Sequence, residues 1–408
     1  KDVIGGLDAK NIQLNAQELN NQVGAIRASE QANLSIQSQL NNQQGSISSL
    51  GQLNIGQAEQ SLNIDNTAGE LLAQQQLNIQ ANELINQGKI ISLGDAEISL
   101  KQNYTQHKDS ELKANGTLKL SSEKDIINQS EISAGKQLHL NAQNILNQKD
   151  ASINSAEMHL IAQNKVHNQG LINAGLTHIQ AQQLHNDGAR IYGDHVAIQA
   201  QTLDNKSNLD GVGAVIASRG DMHLGIGTLN NQAGGAVNAV SKDNAWILSM
   251  GQLKIGGSLD DKYQAQGTAD LINNRSATIE SQGDMQLDAK RIENINENFE
   301  VKDAAILESA VKVHGYEDNR HPGIDVSEDI VEFQKQGNFL WMLLKDGRRL
   351  RTYNIFEYDK ETYVPEVISS TPGQIISGGN MLINAEHVLN DQSQILAAKT
   401  LTVQGTSI

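Results

Sequence analysis

A repeat of about twenty residues constrains the fold of this chain more than any other feature. Each unit contains a short segment in which two mostly apolar residues flank a polar one. The first ten such pairs follow one another at steps of 19 to 24 residues: Ile12/Leu14, Leu34/Ile36, Leu53/Ile55, Leu77/Ile79, Ile98/Leu100, Leu118/Leu120, Leu138/Leu140, Met158/Leu160, Thr177/Ile179 and Val196/Ile198. A unit this short cannot enclose a core alone, so successive units must stack.

The segment SAGKQLHLNAQNILNQ, Ser133–Gln148, shows the order of elements within one unit. Small residues form a turn, an L-x-L strand follows, and a second apolar pair leads to Asn147 and a third strand with Ile153. Three short strands per unit predict an all-β fold, a right-handed parallel β-helix, rather than antiparallel hairpins. In such a fold Leu and Ile stack on their counterparts at about 4.8 Å. Only 3% of the 408 residues are aromatic, which suits the narrow core of a coil.

An asparagine recurs near the second turn of the unit, at Asn86, Asn128, Asn147, Asn168, Asn186 and Asn205. A stacked asparagine can bond both its own turn and its neighbours, forming a ladder. We therefore interpret these residues as structural turn caps rather than as a ligand site.

The repeat loosens after Asn205, where polar, glycine-rich stretches lengthen the steps to 26, 31 and 32 residues. These stretches predict loops that protrude from a turn. The pattern then stops at Asn298 and resumes at about Gly373. The sequence predicts four segments: regular coils over 1–206, coils with long protruding loops over 207–297, an antiparallel insertion over 298–372, and resumed coils over 373–408.

The insertion contains nine of the chain's 13 aromatic residues and has strong strand signals. They predict a small antiparallel sheet with strands at Ile330–Gln334, Asn338–Leu344, Arg348–Tyr358 and Tyr363–Ser369, and an extended arm at Val301–Val313. Alternation places Phe339 and Trp341 on one apolar face and Met342 on the other. One face has to pack, and the other is either a second buried layer or a surface for a partner, since Trp, Tyr and Arg are enriched at binding hot spots. The candidate partner-binding residues are Phe339, Trp341, Arg348, Arg349, Arg351, Tyr353, Phe356, Tyr358 and Tyr363.

Histidines occupy the outward position of one strand on consecutive coils, at His139, His159 and His178. The repeat predicts a solvent-facing row with Lys119 one coil below. A flat row about 4.8 Å apart does not converge on one ion, so polar filler is favoured over a metal site.

Composition and charge restrict the classes of function. The net charge of −16 disfavours a nucleic-acid partner, and the absence of cysteine excludes disulfides and thiolate metal sites. Outward strand positions are mainly Gln, Asn, Ser, Lys and His without clustered carboxylates, so we expect no enzyme, no cofactor and no metal. The longest apolar run, Phe339–Leu344, is too short to span a bilayer. We expect a monomeric internal piece of a longer protein.

The segments GKQLHLNAQNILNQ, GDMQLDAKRIENINENFE and TPGQIISGGNMLINAEHVLNDQSQILA resemble the filamentous haemagglutinin repeat of two-partner secretion exoproteins. The charged, aromatic insertion followed by a restart at Pro372-Gly373 resembles the CdiA-like effectors of contact-dependent growth inhibition.

This resemblance implies export through a partner outer-membrane transporter and display as a filament on a Gram-negative surface. It also implies that a central region binds an outer-membrane receptor, protein or glycan, on a target bacterium, and that a toxin lies elsewhere in the full chain. Two alternatives stay open: a purely structural shaft of an adhesin or haemagglutinin, and a polysaccharide-binding or -cleaving β-helix.

Overall fold

The computed structural model describes residues 6–57, 61–234 and 243–407, with the backbone alone for 303–313 and 361–363. The chain divides into two compact units. We call residues 1–298 together with 371–408 the coil unit, and residues 299–370 the insertion unit.

The described elements are strands and one turn of 3-10 helix, Ser327–Asp329. The strands before the insertion are β1 Gly6–Asn20, β2 Ala25–Asn41, β3 Ser46–Ser49, β4 Gln52–Ile55, β5 Asn63–Asp65, β6 Glu70–Ala73, β7 Gln76–Ala81, β8 Glu83–Ile85, β9 Lys89–Ser92, β10 Asp95–Leu100, β11 Tyr104–Gln106, β12 Glu111–Ala114, β13 Thr117–Ser122, β14 Asp125–Asn128, β15 Glu131–Ala134, β16 Gln137–Asn147, β17 Ser152–Asn168, β18 Leu171–Asp187, β19 Arg190–Lys206, β20 Val215–Ser218, β21 Met222–Gln232, β22 Trp246–Ser249, β23 Leu253–Gly256, β24 Ser258–Leu259, β25 Ala265–Gln266, β26 Ala269–Arg275, β27 Thr278–Ser281 and β28 Met285–Ile295. The insertion unit contains β29 Glu300–Asp318, β30 Ile330–Gln336, β31 Phe339–Leu344, β32 Arg349–Leu350 and β33 Tyr353–Ser369, and the coil unit ends with β34 Gln374–Ser377, β35 Met381–Asp391, β36 Gln394–Ala397 and β37 Leu401–Gln404.

The coil unit is a parallel β-helix with roughly 21 residues per turn, which confirms the predicted fold class. One parallel ladder connects the first inward position of each successive coil. Its members are Ile12, Ala32, Leu53, Leu77, Ala96, Leu118, Leu138, Met158, Thr177, Val196, Met222, Leu253, Met285, Met381 and Leu401.

Two coils have a register that differs from the sequence prediction. The apolar pattern took Leu34 and Ile98 as the first inward residues of their coils, but the structure places Ala32 and Ala96 there. In both coils further buried apolar residues follow at the next two alternate positions. Because alanine is small, it did not stand out in the sequence as an inward residue. The predicted apolar pair of each of these coils therefore lies two residues too far toward the C-terminus.

The core of the coil unit is a narrow aliphatic column, as the composition predicts. Its buried members among the described residues are Ile, Leu, Val, Met and Ala, with Tyr104 as the single aromatic. The column continues without a break past the insertion, because Thr278 pairs with Gln374 and Met285 pairs with Met381. The insertion is therefore an enlarged turn between two coils that stack directly.

One of the long stretches after Asn205 differs from a simple protruding loop. Strands β24 and β25 form a short antiparallel hairpin. It lies on the outer surface of earlier coils, where the N–H of Leu259 donates to Gln199 Oε1 at 2.6 Å. Residues 235–242, within another predicted loop, lie outside the described residues.

The insertion unit contains two antiparallel sheets. Strands β29 and β33 form a long two-stranded ribbon, and β30, β31 and β32 form a three-stranded sheet. A small core holds the second sheet, with Val326, Met342, Leu344 and Leu350 buried. The predicted break between the strands Arg348–Tyr358 and Tyr363–Ser369 is wrong, because β33 runs through it while paired with β29. Within the described residues no helix is long and apolar enough to cross a membrane.

Candidate functional site

The strongest candidate site is the face of the three-stranded sheet that points away from its small core. Strand alternation produces this face, since Met342 and Leu344 are buried on the other side of β31. Trp341 lies opposite Gln334, and Leu343 lies opposite Arg349. We call Phe339, Trp341, Leu343, Arg349 and Arg351 the outer face.

The outer face combines accessible rings with cationic side chains. Phe339 is 48% exposed and Trp341 is half-buried. The guanidinium carbon of Arg351 lies 3.8 Å from the centre of the Phe339 ring, a cation–π contact. Arg349 donates to Gln334 Oε1. These contacts hold flexible side chains in place, so a ligand would meet a surface that is already ordered.

Two of the predicted partner-binding residues make contacts within the insertion unit itself. Tyr353 packs against the small core and lies 5.9 Å, ring centre to ring centre, from Phe333. Arg348 donates to Asp346 Oδ2 at 2.7 Å and to Asp318 Oδ2 at 3.3 Å. Neither side chain belongs to the outer face.

The remaining predicted residues lie on the ribbon. The rings of Phe356 and Tyr358 are 5.9 Å apart. The Phe356 ring covers Gly315 on the opposite strand, where any side chain would collide with it. The side chain of Tyr363 lies outside the described residues. Four of the nine predicted residues thus lie on the outer face, Tyr353 packs on the small core, Phe356, Tyr358 and Tyr363 lie on the ribbon, and Arg348 bonds Asp318 and Asp346.

A buried carboxylate that sequence reasoning missed anchors the end of β29. Asp318 has a side chain only 1% exposed, and it accepts from the N–H of Arg320 and from His321 Nδ1 at 3.1 Å. These two hydrogen bonds hold the pKa of Asp318 below its usual value. Its partner Arg348 is 30 residues away in sequence, so no local pattern points to the pair.

The histidine row is present on the coil unit but is not solvent-facing, which corrects the prediction. His139 and His159 stack with ring centres 4.8 Å apart. His159 and His178 are buried, at 9% and 7% exposure, because Tyr263 of the β24–β25 hairpin lies over them with its ring centre 4.4 Å from that of His178. Burial, followed by the repulsion from His159, lowers the pKa of His178 to about 4.

The asparagines of the repeat form a continuous hydrogen-bonded ladder inside the coil unit. The side-chain amide of each donates to Oδ1 of the next at 2.8 Å, in the order Asn128, Asn147, Asn168, Asn186, Asn205, Asn231, Asn274, Asn294 and Asn390. A second ladder connects Asn21, Asn42, Asn66 and Asn86 at 2.7 to 3.0 Å. The same asparagine signal extends beyond the positions chosen from the sequence.

One coil separates the two ladders. Gln106 occupies the asparagine position there, since it pairs with Asn128 of the following coil. The buried hydroxyl of Tyr104 donates to Gln106 Oε1 at 2.6 Å, and Gln106 Nε2 donates to the Ser110 carbonyl at 2.8 Å. A Tyr–Gln pair thus replaces the asparagine and satisfies its own polar groups.

The comparison with protein families assigns the repeat. A model described as the haemagglutinin repeat matches residues 5–64, 38–129, 111–170, 227–309 and 366–408, more than half of the chain. The chain belongs to the haemagglutinin repeat family. Comparisons with curated proteins and with solved structures gave no match.

Haemagglutinin repeats together with this β-helix fit the shaft of a filamentous adhesin. This class of protein is extracellular or surface-displayed and typically non-enzymatic. Coils also stack in register between residues 170 and 227, where the haemagglutinin repeat model does not match. The matches end at 309 and resume at 366, on either side of the three-stranded sheet.

Proposed function

We propose that the chain is the receptor-binding segment of a secreted filamentous surface exoprotein, and that the outer face makes the contact. One observation supports this proposal above all. Outward polar side chains of the shaft bond one another, as Asn54 does with Asn33 at 2.7 Å, whereas the outer face presents rings and guanidinium groups to solvent. Aromatic and arginine side chains supply most hot spots in protein interfaces.

The proposal extends to the parent protein. The order of repeats, aromatic insertion and restart at Pro372-Gly373 resembles that of the CdiA-like effectors of contact-dependent growth inhibition. In this reading a partner outer-membrane transporter exports the filament of a Gram-negative cell. The outer face then meets a protein or glycan receptor on the target bacterium, and the toxin is carried elsewhere in the full chain.

The test is binding of the purified chain to outer-membrane extracts of candidate target bacteria. We expect Trp341→Ala to weaken binding at least tenfold, as loss of a hot-spot side chain does. The matched control is Trp246→Ala, which removes the other tryptophan, a half-buried side chain on the outer surface of the coils. A chain that lacks 299–370 and binds as well as the intact protein would refute the proposal.

The second candidate is a purely structural shaft in which the insertion is an ornament. The asparagine ladder favours it, since Asn294 and Asn390 bond at 2.8 Å across the insertion, as neighbouring coils do elsewhere. Unchanged binding after deletion of 299–370 is the outcome that this candidate predicts.

A further inference from the structure

The β24–β25 hairpin lies on the coils without a large apolar anchor of its own. Among residues 258–266 the one buried side chain is that of Ala265. The hairpin backbone donates two hydrogen bonds to the coils: the N–H of Leu259 bonds Gln199 Oε1 at 2.6 Å, and the N–H of Ala265 bonds His223 Nδ1 at 3.4 Å. The second of these bonds requires an imidazole nitrogen that carries no proton.

Tyr263 places its ring on the histidine row from a strained turn. Its φ is +61°, in the left-handed region that a bulky residue rarely adopts. Such strain persists only where the surrounding contacts impose it. The ring centre of Tyr263 lies 4.4 Å from that of His178 and 6.0 Å from that of His159. The contact with these two imidazoles therefore compensates for the strained turn.

The two imidazoles beneath Tyr263 share a single hydrogen bond. The Nδ1 atoms of His159 and His178 lie 3.2 Å apart, and His159 Nε2 lies 2.9 Å from Glu157 Oε1. The hydrogen bond from His159, followed by that from Gln137 at 3.0 Å, lowers the pKa of Glu157, so this carboxylate stays ionised and only accepts. Neutral His159 therefore carries its proton on Nε2, and its Nδ1 accepts the Nδ1–H of His178.

A further proton on either ring opposes this arrangement. On His159 the proton must go to Nδ1, where it would face the N–H of His178 across 3.2 Å. On His178 it goes to Nε2 and leaves a charged ring that is only 7% exposed beneath Tyr263. A buried charge without a counter-charge is costly. The closed hairpin therefore requires both rings to be neutral.

His223 imposes the same requirement at the other end of the hairpin. Because its Nδ1 accepts from Ala265, the neutral ring carries its proton on Nε2. A second proton on Nδ1 would remove the acceptor and set two N–H groups against each other. Burial is the largest influence on His223 and lowers its pKa below the usual value.

The charged and titratable neighbours of these histidines do not offset an added proton. They are Lys119, His139 and Glu157 beside His159 and His178, Asp221, Lys254 and His195 beside His223, and Tyr263 and Asp260 from the hairpin. Asp221 and Asp260 raise the pKa of His223, but burial lowers it by more. Both carboxylates already accept from backbone N–H groups, at 2.8 Å.

We propose that the β24–β25 hairpin is a proton-sensitive strap. It is closed over the coils while His159, His178 and His223 are neutral, and it lifts when they take up protons. Lifting exposes the row of imidazoles on β17, β18 and β21 and releases the turn at Tyr263 from its strained conformation.

The size of the effect follows from the difference between covered and exposed imidazole. Burial, followed by repulsion from His159, lowers the pKa of His178 to about 4, whereas an exposed histidine titrates near 6.5. The closed state therefore loses stability as the pH falls from about 6.5 toward about 4. From His178 alone, the ratio of lifted to closed hairpin should rise about 30-fold between pH 7.5 and pH 5. His223 acts in the same direction.

The experiment is hydrogen exchange of the intact chain at pH 7.5 and pH 5, read by mass spectrometry and corrected for the intrinsic exchange rate at each pH. We expect the protection of residues 258–266 to fall by about 30-fold or more relative to that of β17, β18 and β19. A relative fall of less than about tenfold would overturn the proposal.

Variants assign the response to the histidines. The double substitution His178→Asn and His223→Asn keeps an amide near each Nδ1 position but removes the titration, and it should abolish most of the fall. His185→Asn is the matched control, because His185 belongs to another pair on the shaft and faces Asp204 at 3.1 Å. It should respond as the wild type does. An undiminished fall in the double variant would overturn the proposal.

Tyr263→Gly tests the latch by the sign of its effect. Glycine adopts a positive φ without strain, so relief of the turn alone would increase the protection of residues 258–266 at pH 7.5. If the ring holds the hairpin closed, its loss should decrease that protection instead. Increased or unchanged protection would exclude Tyr263 as the latch and overturn the proposal.

Discussion

Replacing Asn168 by alanine tests whether the internal asparagine ladder holds the shaft together. Asn168 is fully buried, and its amide donates to Asn186 Oδ1 at 2.8 Å and to the Arg190 carbonyl at 3.1 Å. Its Oδ1 accepts from Asn147 at 2.8 Å and from the N–H of Gly170 at 3.3 Å. Alanine removes all four hydrogen bonds and admits no replacement partner from the aliphatic column.

The magnitude follows from the groups left without partners. Asn186 Oδ1 and one N–H of Asn147 become buried and unsatisfied, and each such group costs about 1–3 kcal/mol. We expect Asn168→Ala to lower the free energy of unfolding by about 2–5 kcal/mol. Asn54→Ala is the matched control, because Asn54 also bonds the coils on both sides, at 2.7 and 2.6 Å, but on the outer surface. Water replaces those partners, so the control should cost less than about 1 kcal/mol.

A third variant separates the donor from the shape. Asn168→Asp keeps the outline of the side chain but turns the amide donor into a carboxylate that faces Asn186 Oδ1 and the Arg190 carbonyl. We expect it to destabilise more than alanine at pH 7, since a buried unpaired charge is costlier than a missing bond. Acidification that protonates the new carboxylate should narrow the difference between the two variants.

The assay has to allow for the repeat architecture, since long arrays can unfold segment by segment. Urea denaturation followed by circular dichroism gives the global change. Hydrogen exchange read by mass spectrometry should show the loss of protection centred on β17, β18 and β19. If Asn168→Ala and Asn54→Ala agree within about 0.5 kcal/mol, buried and exposed ladders contribute alike and the reasoning is refuted.

Three further predictions concern other parts of the chain. Met342→Ala should destabilise the insertion unit by about 2–5 kcal/mol, because Met342 is fully buried in a small core. Hydrogen exchange should become faster in β30 and β31 but not in the coils, and an equal increase in both units would contradict this. Tyr104→Phe should cost about 1–2 kcal/mol in urea denaturation by leaving buried Gln106 Oε1 without its donor, and an unchanged stability would show that the oxygen finds another. Burial lowers the pKa of His178 in the folded chain to about 4, whereas the unfolded chain takes up this proton near 6.5. The free energy of unfolding should therefore fall as the pH drops from about 6.5 to about 4, with a contribution from His178 on the order of 2 kcal/mol. His178→Gln should flatten urea midpoints across that range, and an unaltered pH slope would exclude this histidine as the cause.

Much of the coil unit could be predicted because its constraint is local and repeated. Each coil meets only its neighbours, so an apolar residue every second position and an asparagine at each second turn determine the contacts. The prediction failed where local signal is weak, as at Ala32 and Ala96, whose small side chains do not mark an inward position. In the insertion unit, by contrast, the prediction succeeded: alternation along β31 assigned Met342 and Trp341 to opposite faces, and the structure places them so.

The contacts that escaped prediction join distant parts of the chain. Tyr263 meets His178 only because the β24–β25 hairpin folds back over earlier coils, and nothing in the local pattern of either residue specifies that path. Arg348 was predicted to bind a partner because of its residue type, but in the structure it forms ion pairs with Asp318 and Asp346. Residue type indicates where a function could lie, while only the fold shows which side chains remain available for it.

One side chain of the coil unit holds the residues on either side of the insertion. Asn296 Oδ1 accepts from the N–H groups of Asn298 and Thr371, at 3.2 and 3.1 Å, so one side chain holds the last residue before the insertion and the first after it. Because the coils on either side pair directly, the stack needs only this closed turn. The cost of closing a loop grows only with the logarithm of its length, about 0.6 kcal/mol for each doubling. The insertion can therefore change in sequence and size with little effect on the stack of coils, as the receptor-binding role that we propose for it requires.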